Sequence, residues 1–268
     1  MRKTVIITGG SSGIGSACAV LYAQKGYNVV FTGRDKTRFS DTEEKLEAIN
    51  GQYLGIEADS IEEAGAKYVV DQAIEKFGSV DVLICNAGVS MKAFFEDLDL
   101  KVFEDVIKVN LIGTINYVKH ALPHLLKSKG SIVGVSSING HRGTPGRTAY
   151  SASKFAMEGF FESLRIEVKK RGVNIFMISP GYTDTNIRNT ALSANGESVG
   201  ESFRDEKKAM SAEKVAGYIY RGQQRGQRDL ILTPLGWWLT FFNKWIPKIM
   251  DRTVYNVMHK EDPSLFKD

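Results

Sequence analysis

Tyr150 and Lys154 stand four residues apart in Ala149-Tyr150-Ser151-Ala152-Ser153-Lys154, downstream of the run Val135-Ser136-Ser137-Ile138-Asn139-Gly140. On a helix that spacing puts both side chains on one face, one turn apart. A free phenol titrates at about 10, too high for easy work as a base at neutral pH. Positive charge beside it favours the phenolate and lowers that value. A tyrosine with an ammonium next to it is thus equipped to give a proton to an oxygen, or to take one away. Ser137 follows an apolar run, so its hydroxyl is expected at a strand end, pointing into the same cleft. Singly, each has an ordinary explanation, since tyrosines pack, lysines solvate and serines populate loops. Their joint offsets are what point to chemistry.

A second constellation stands near the N-terminus. Thr8-Gly9-Gly10-Ser11-Ser12-Gly13-Ile14-Gly15 follows the apolar Val5-Ile6-Ile7 and precedes a helical pattern. Glycines here permit a tight turn, close approach of backbone to a pyrophosphate, and close packing of helix on strand. The helix start offers free N–H groups and the positive end of its dipole to phosphates. At the first strand–helix junction, this pattern predicts a dinucleotide site. The second strand ends in Phe31-Thr32-Gly33-Arg34-Asp35. No carboxylate closes the strand to hold a ribose 2′-hydroxyl, and Arg34 follows at once, which favours a 2′-phosphate and hence NADP(H) over NAD(H). The competing reading makes Arg34 a solvated loop cation and lets Asp35 reach the ribose.

These residues need elements to position them. Strands are expected over residues 4–8, 28–32, 53–57, 80–85, 131–136, 174–178 and 229–233. All are Val/Ile-rich and nearly continuous in apolarity, as strands buried on both faces should be. Helix-length patterns occupy 15–25, 42–49, 61–77, 103–126, 149–171 and 212–226. Strand–helix alternation implies right-handed crossovers and a mainly parallel seven-stranded sheet covered by helices on both faces. Ligands in such sheets lie beyond the carboxyl ends of the strands, and the chemically informative residues cluster there.

The chain of 268 residues is 43% hydrophobic and 25% charged with net charge +4, an ordinary globular balance. Its basic residues are mixed with acids, which argues for a solvated surface and against a nucleic-acid face. Cys18 and Cys85 lie in apolar stretches and are expected as buried free thiols. The opening apolar run is too short for a signal-peptide core, and no run has transmembrane length, so a cytoplasmic location is expected. His120, His124, His141 and His259 lack convincing metal-ligand spacing.

From about residue 3 to about residue 234 the sequence resembles the classical short-chain dehydrogenase/reductase family. Thr8, Gly9, Gly13 and Gly15 match its Thr-Gly-x-x-x-Gly-x-Gly pattern, and Asn86-Ala87-Gly88 its Asn-Ala-Gly motif. Asp59 falls where members often contact adenine, and Asn110 matches the fourth catalytic residue. Ser137, Tyr150 and Lys154 supply the Ser and Tyr-x-x-x-Lys elements. Pro180-Gly181-Tyr182-Thr183-Asp184-Thr185 matches the loop bordering the nicotinamide.

The resemblance implies a Rossmann-type fold over residues 1–234, with 235–268 as an extension of the same domain. The dinucleotide would lie against Gly9, Ser11, Ser12, Gly13, Ile14, Gly15, Arg34, Asp59, Asn86, Ala87, Gly88, Tyr150, Lys154, Pro180, Gly181, Thr183 and Thr185. It also implies hydride transfer between nicotinamide and a ketone or secondary alcohol, with Tyr150 as acid and base. Ser137 would donate to the substrate oxygen and Lys154 would hold the ribose hydroxyls. Asn110 would anchor a water leading to solvent. A homodimer or homotetramer through the two long helices is also implied. One departure is Ser12, where many NADP-preferring members carry a basic residue. A non-catalytic dinucleotide sensor is the alternative class, but such a protein would be expected to lack the tyrosine or lysine.

Substrate choice should lie in 89–95, 141–148 and 186–208, the last a polar, glycine-containing candidate lid. Ser151–Glu167 resembles the hydroxysteroid and lipid-directed branch, which suggests an apolar ketone such as a ketodihydrosphingosine. All three tryptophans fall in 235–250, with Lys244, Lys248 and Pro247. That segment suits a membrane interface, a cleft cap or subunit contact, or plain core.

Overall fold

The computed structural model describes residues 2–185, 187, 189–200, 209–261 and 266. Seven strands form one sheet: β1 (Thr4–Ile7), β2 (Asn28–Gly33), β3 (Tyr53–Glu57), β4 (Val82–Cys85), β5 (Ser131–Val135), β6 (Asn174–Ser179) and β7 (Asp229–Ile231). Their spatial order is β3-β2-β1-β4-β5-β6-β7, and every pairing is parallel. β1, β4 and β5 are buried along their whole length, whereas the edge strands β3 and β7 are partly exposed. Helices α1 (Gly13–Gln24), α2 (Ser40–Glu47), α3 (Glu63–Phe77), α4 (Leu100–Ile107), α5 (Gly113–Ser128), α6 (Thr148–Val168) and α7 (Ala212–Gln224) connect the strands.

Strand side chains alternate between faces, and two cores result. Ile6, Val30, Leu83, Ile132 and Ile175 pack with residues of α3, α5 and α6. Val5, Ile7, Val29, Ile84, Val133 and Phe176 pack on the other face with residues of α1 and α7. Cys18 and Cys85 are buried within these cores as free thiols, and burial pushes the Cys85 thiol up to about 12.

The one long helix expected over 103–126 begins earlier and is interrupted. The Asp99 carboxylate accepts a bond from the Lys101 amide at 2.8 Å, which starts α4 at Leu100. A π turn, Lys108–Ile112, then separates α4 from α5 and carries Asn110. Such turns are frequent at functional sites. Residues 80 and 81 fall outside β4, because the Asp81 carboxylate accepts from the Thr4 amide at 2.8 Å and from the Ser79 hydroxyl at 2.7 Å.

After β7 come α8 (Pro234–Trp245) and α9 (Pro247–Glu261). Thr233 caps α8 by accepting from the Gly236 amide at 3.0 Å, with Pro234 in the first turn, where it forfeits no bond. Core burial, one of three readings of this segment, is overturned: only Gly236, Thr240 and Met250 are buried, and all three tryptophans are at least 48% exposed. Of the candidate lid, Asn186, Arg188 and 201–208 lie outside the described residues. Leu192 forms isolated bridges with Met91 and Ser198, which ties that part to the loop after β4.

Candidate active site

In the strand order the direction of progression reverses between β1 and β4, and a crevice opens between the loops that follow them. Thr8 joins these loops. Its hydroxyl accepts from the amides of Asn86 and Ala87, each at 3.0 Å. The Asn86 side-chain amide donates to the Thr8 and Gly9 carbonyls, each at 3.0 Å, so Asn86 holds the glycine loop in place.

The loop has the shape a pyrophosphate needs. Gly9 and Gly13 have φ of +64° and +53°, and a Cβ on Gly15 would collide with the Gly9 carbonyl oxygen. Ser12 stands at the N-cap of α1 but makes no capping bond from its side chain, and the first turn carries no acid. The Ser12 side chain therefore leaves the opening N–H groups, Ile14's among them, uncapped, while Asp41, Asp184 and Glu213 line the cavity beside them. Beyond the loop, a Cβ on Gly33 would meet the Ser11 hydroxyl at 3.0 Å, which places Ser11 beside the end of β2. Arg34 follows, exposed. The Asp35 carboxylate turns instead to Thr37, accepting from its amide at 3.0 Å and its hydroxyl at 2.5 Å. Those bonds hold its pKa below the ordinary carboxylate value, making it a stronger acid. Asp59 lies after β3 and accepts from the Ile61 amide at 3.2 Å.

Ser137 follows β5 by two residues and caps the short turn Ile138–Gly140, and Tyr150 and Lys154 lie on α6. Ser137 lies close enough to the Tyr150 phenol to favour its ionised form, and the Lys154 ammonium lies 5.9 Å from the Tyr150 ring centre. The sequence leads one to expect a lowered phenol. Burial instead pushes Tyr150 up, with Ser137 and the charge of Arg147 pulling the other way. The phenol is thus protonated at neutral pH, the form that can act as an acid. Lys154 is 3% exposed. Burial drives it down to about 8, with Glu158 and Cys85 opposing. Its Nζ donates to the Val135 carbonyl at 2.9 Å.

Asn110 is fully buried, and its side chain clamps the loop after β4. Oδ1 accepts from the Val89 amide at 2.8 Å, while Nδ2 donates to the Val89 carbonyl at 3.0 Å and to the Ser153 hydroxyl at 2.9 Å. Its backbone carbonyl accepts from the Thr114 hydroxyl at 2.8 Å. Gly88 sits against it, since a Cβ there would meet Asn110 Oδ1 at 3.1 Å and Lys154 Nζ at 3.8 Å. The loop after β6 closes the arrangement. Thr185 lies 3.0 Å from the Cβ position of Gly13, Gly181 packs on Thr233, and Thr183 bridges to Met210. Pro180 leads into this loop directly after β6.

Sequence reasoning missed a polar group behind the lysine. Glu158 lies one turn beyond Lys154, and His141 Nε2 approaches Glu158 Oε1 at 3.4 Å and Ser179 Oγ at 2.9 Å. The i, i+4 offset of Lys154 and Glu158 was visible, but it reads equally well as a surface pair. Arg147 beside Tyr150 was likewise hidden, because it precedes the helix in an irregular loop.

A model of the short chain dehydrogenase family matches residues 3–196. The chain belongs to the short-chain dehydrogenase family. It is an oxidoreductase of that family, acting on CH–OH donors, with a dinucleotide-binding fold. It is 32% identical over 237 residues to the mouse (Mus musculus) "Dehydrogenase/reductase SDR family member 7B", covering 87% of this chain and 73% of that one. A Caenorhabditis elegans short-chain dehydrogenase/reductase of unknown function, solved with cofactor, is 29% identical. It has a TM-score of 0.76, covering 85% of this chain and 93% of its own. A Burkholderia phymatum short-chain dehydrogenase solved with NAD shares the fold at TM-score 0.82 and 22% identity, with coverages of 92% and 95%.

Proposed function

We propose that the chain is an NADP(H)-dependent enzyme interconverting a ketone and a secondary alcohol, with Tyr150 as acid and base. The observation that carries this reading is the Ser137–Tyr150–Lys154 group, its lysine buried, together with a glycine loop and an α1 start that has no side-chain cap and no acid in its first turn. Arg34 at the end of β2, with Asp35 engaged by Thr37, supports the phosphorylated cofactor.

A bound nicotinamide supplies or accepts the hydride. The chain's residues do the rest. Backbone N–H groups at Gly13, Ile14 and Gly15 hold the pyrophosphate, Ser11 and Arg34 the 2′-phosphate, and Asp59 the adenine side. Ser137 donates to the substrate oxygen and stabilises charge developing there. Tyr150 delivers its proton to that oxygen as the charge grows, and takes it back in the oxidative direction. Lys154 holds the ribose hydroxyls and favours the phenolate left on Tyr150. Asn110 fixes the loop carrying Gly88 beside Lys154.

The substrate is an apolar, lipid-like ketone such as a ketodihydrosphingosine, supported by the similarity of α6 to the lipid-directed branch and by the exposed aromatic face of α8. The chain works in the cytoplasm with residues 235–250 in peripheral contact with a membrane. It assembles as a homodimer or homotetramer through α5 and α6, where Ile112, just before α5, and Phe155 and Ile166 on α6 leave apolar surface exposed. The test is NADPH consumption with ketones graded in chain length and polarity, using Tyr150→Phe as the blank. Activity that rises with apolar length supports the reading. Activity confined to short polar carbonyls would remove the lipid substrate, and tighter binding of NADH than NADPH would remove the cofactor assignment.

A further inference from the structure

An exposed aromatic surface outside the crevice lies on α8 and the start of α9. Trp238, Phe241 and Trp245 recur at helical spacing along α8, Ile249 follows exposed in the first turn of α9, and Trp245 is 73% exposed. The rings pack on one another and not into the core. Trp237 stacks on Phe241 at 5.4 Å and 8°, and Trp238 on Phe242 at 5.4 Å and 17°. Contiguous apolar surface of this kind marks a contact site. Its charge is one-sided: from Pro234 to Met250 the chain has two lysines, Lys244 and Lys248, and no acid. Both lysines are exposed. The next acid, Asp251, is engaged by Arg142 at 2.7 Å.

We infer that this face docks in the plane of a bilayer carrying anionic phospholipids, setting the catalytic loop at the lipid surface. The inference deepens the membrane contact of the proposed function and rests on that reading. Aromatic rings suit the headgroup boundary, and lysines beside them suit anionic headgroups. A second copy of the chain fits less well. A two-fold contact presents the same patch from both sides, so the lysines of each would meet a face without a carboxylate. No helix among the described residues is long and apolar enough to cross a membrane, so α8 lies along the surface.

The inner side of the same helix grips the active-site loop. Gly236 packs against Ile138, the residue after Ser137. The Asn243 amide donates to the His141 carbonyl at 3.2 Å, and Arg142 donates to Asn243 Oδ1 at 2.7 Å and to Asp251 Oδ1 at 2.7 Å. A bilayer under α8 therefore lies next to the loop that carries Ser137, and a long-chain ketone can enter from the lipid without crossing water.

The test uses the full chain with vesicles of neutral phosphatidylcholine, alone or with anionic phosphatidylglycerol. Co-sedimentation should strengthen on the anionic vesicles, and Lys244→Gln with Lys248→Gln should weaken it roughly thirtyfold, the effect of losing two cations near such a surface. Trp238→Glu with Trp245→Glu should abolish binding. All these variants should still turn over a short water-soluble ketone at the wild-type rate, while losing a long-chain ketone embedded in vesicles. Wild-type protein that stays unbound to both vesicle types would overturn the inference. So would a dimer that Trp238→Glu with Trp245→Glu splits, since that would make the face a subunit contact. Vesicle binding without turnover of any ketone would instead remove the proposed reaction and leave the docking face standing.

Discussion

The Lys154 ammonium lies 5.9 Å from the centre of the Tyr150 ring, one turn along α6, while its own hydrogen bond goes to the Val135 carbonyl at 2.9 Å. Burial acts on the two groups in opposite directions. It raises the phenol, keeping Tyr150 protonated, and lowers the ammonium to about 8. Desolvation disfavours the charged form of each group, which is the anion for tyrosine and the cation for lysine.

If Tyr150 is the acid, Tyr150→Phe should cut ketone reduction by roughly a hundredfold to ten thousandfold while leaving NADPH binding within about twofold. Ser137→Ala should cost about a hundredfold in kcat and leave Tyr150 harder to ionise, since Ser137 lowers the phenol. Steady-state kinetics beside fluorescence titration of NADPH separates the two effects. Near-normal turnover by Tyr150→Phe would end the assignment.

The lysine gives a pH dependence with a definite sign. Reductive kcat should fall as pH rises through about 8, where Lys154 loses its proton. Glu158→Gln should move that midpoint to lower pH, because Glu158 supports the charged ammonium. A pH–rate profile flat from 7 to 9 in wild type would contradict both statements.

Lys154 also trades stability for chemistry. Its ordinary value is 10.5 and its folded value about 8. Below about 8 both states hold the proton and the whole cost of burying the charge is present. Between 8 and 10.5 the unfolded chain binds more protons, so stability rises with pH across that window. Lys154→Met should raise the melting temperature near pH 7, by an amount bounded by about 3 kcal/mol of relieved burial, while removing activity. Thermal melts of both proteins at pH 7 and pH 9 check this, and the gap should narrow at the higher pH.

Asn110→Ala should lower stability by roughly 2–5 kcal/mol, because it strands the amide and carbonyl of Val89. Asn110→Ser, too short to reach both, should recover little of the loss. Urea denaturation gives the value directly. A variant as stable as wild type would mean that water replaces the clamp.

Arg34→Ala should weaken NADPH binding by about ten- to a hundredfold, the scale of a lost charge-assisted contact, and leave NADH binding unchanged. Equal weakening of both cofactors would place Arg34 outside the 2′-phosphate site and return the question to Asp35.

Much of this molecule was legible in one dimension. Near-continuous apolar strands separated by helix-length patterns can bury themselves only as a two-faced parallel sheet, so the fold class follows from Val5-Ile6-Ile7 and its counterparts. The glycine loop and the Tyr150–Lys154 offset were legible because each function needs particular residue types at fixed short spacings: Gly15 leaves no room for a Cβ, and one helical turn joins Tyr150 to Lys154. What only the tertiary structure decided depends on residues brought together from afar. The direction of the Tyr150 shift is set by enclosure, which no neighbour in sequence reveals. Asn110 clamps Val89 because a π turn, invisible to periodicity, rotates it toward the loop after β4. Arg142 meets Asn243 and Asp251 across about a hundred residues of chain, and so the loop after β5 and the aromatic helix became one surface. Local spacing specifies which groups can react, whereas long-range packing decides their charge and their access to the substrate.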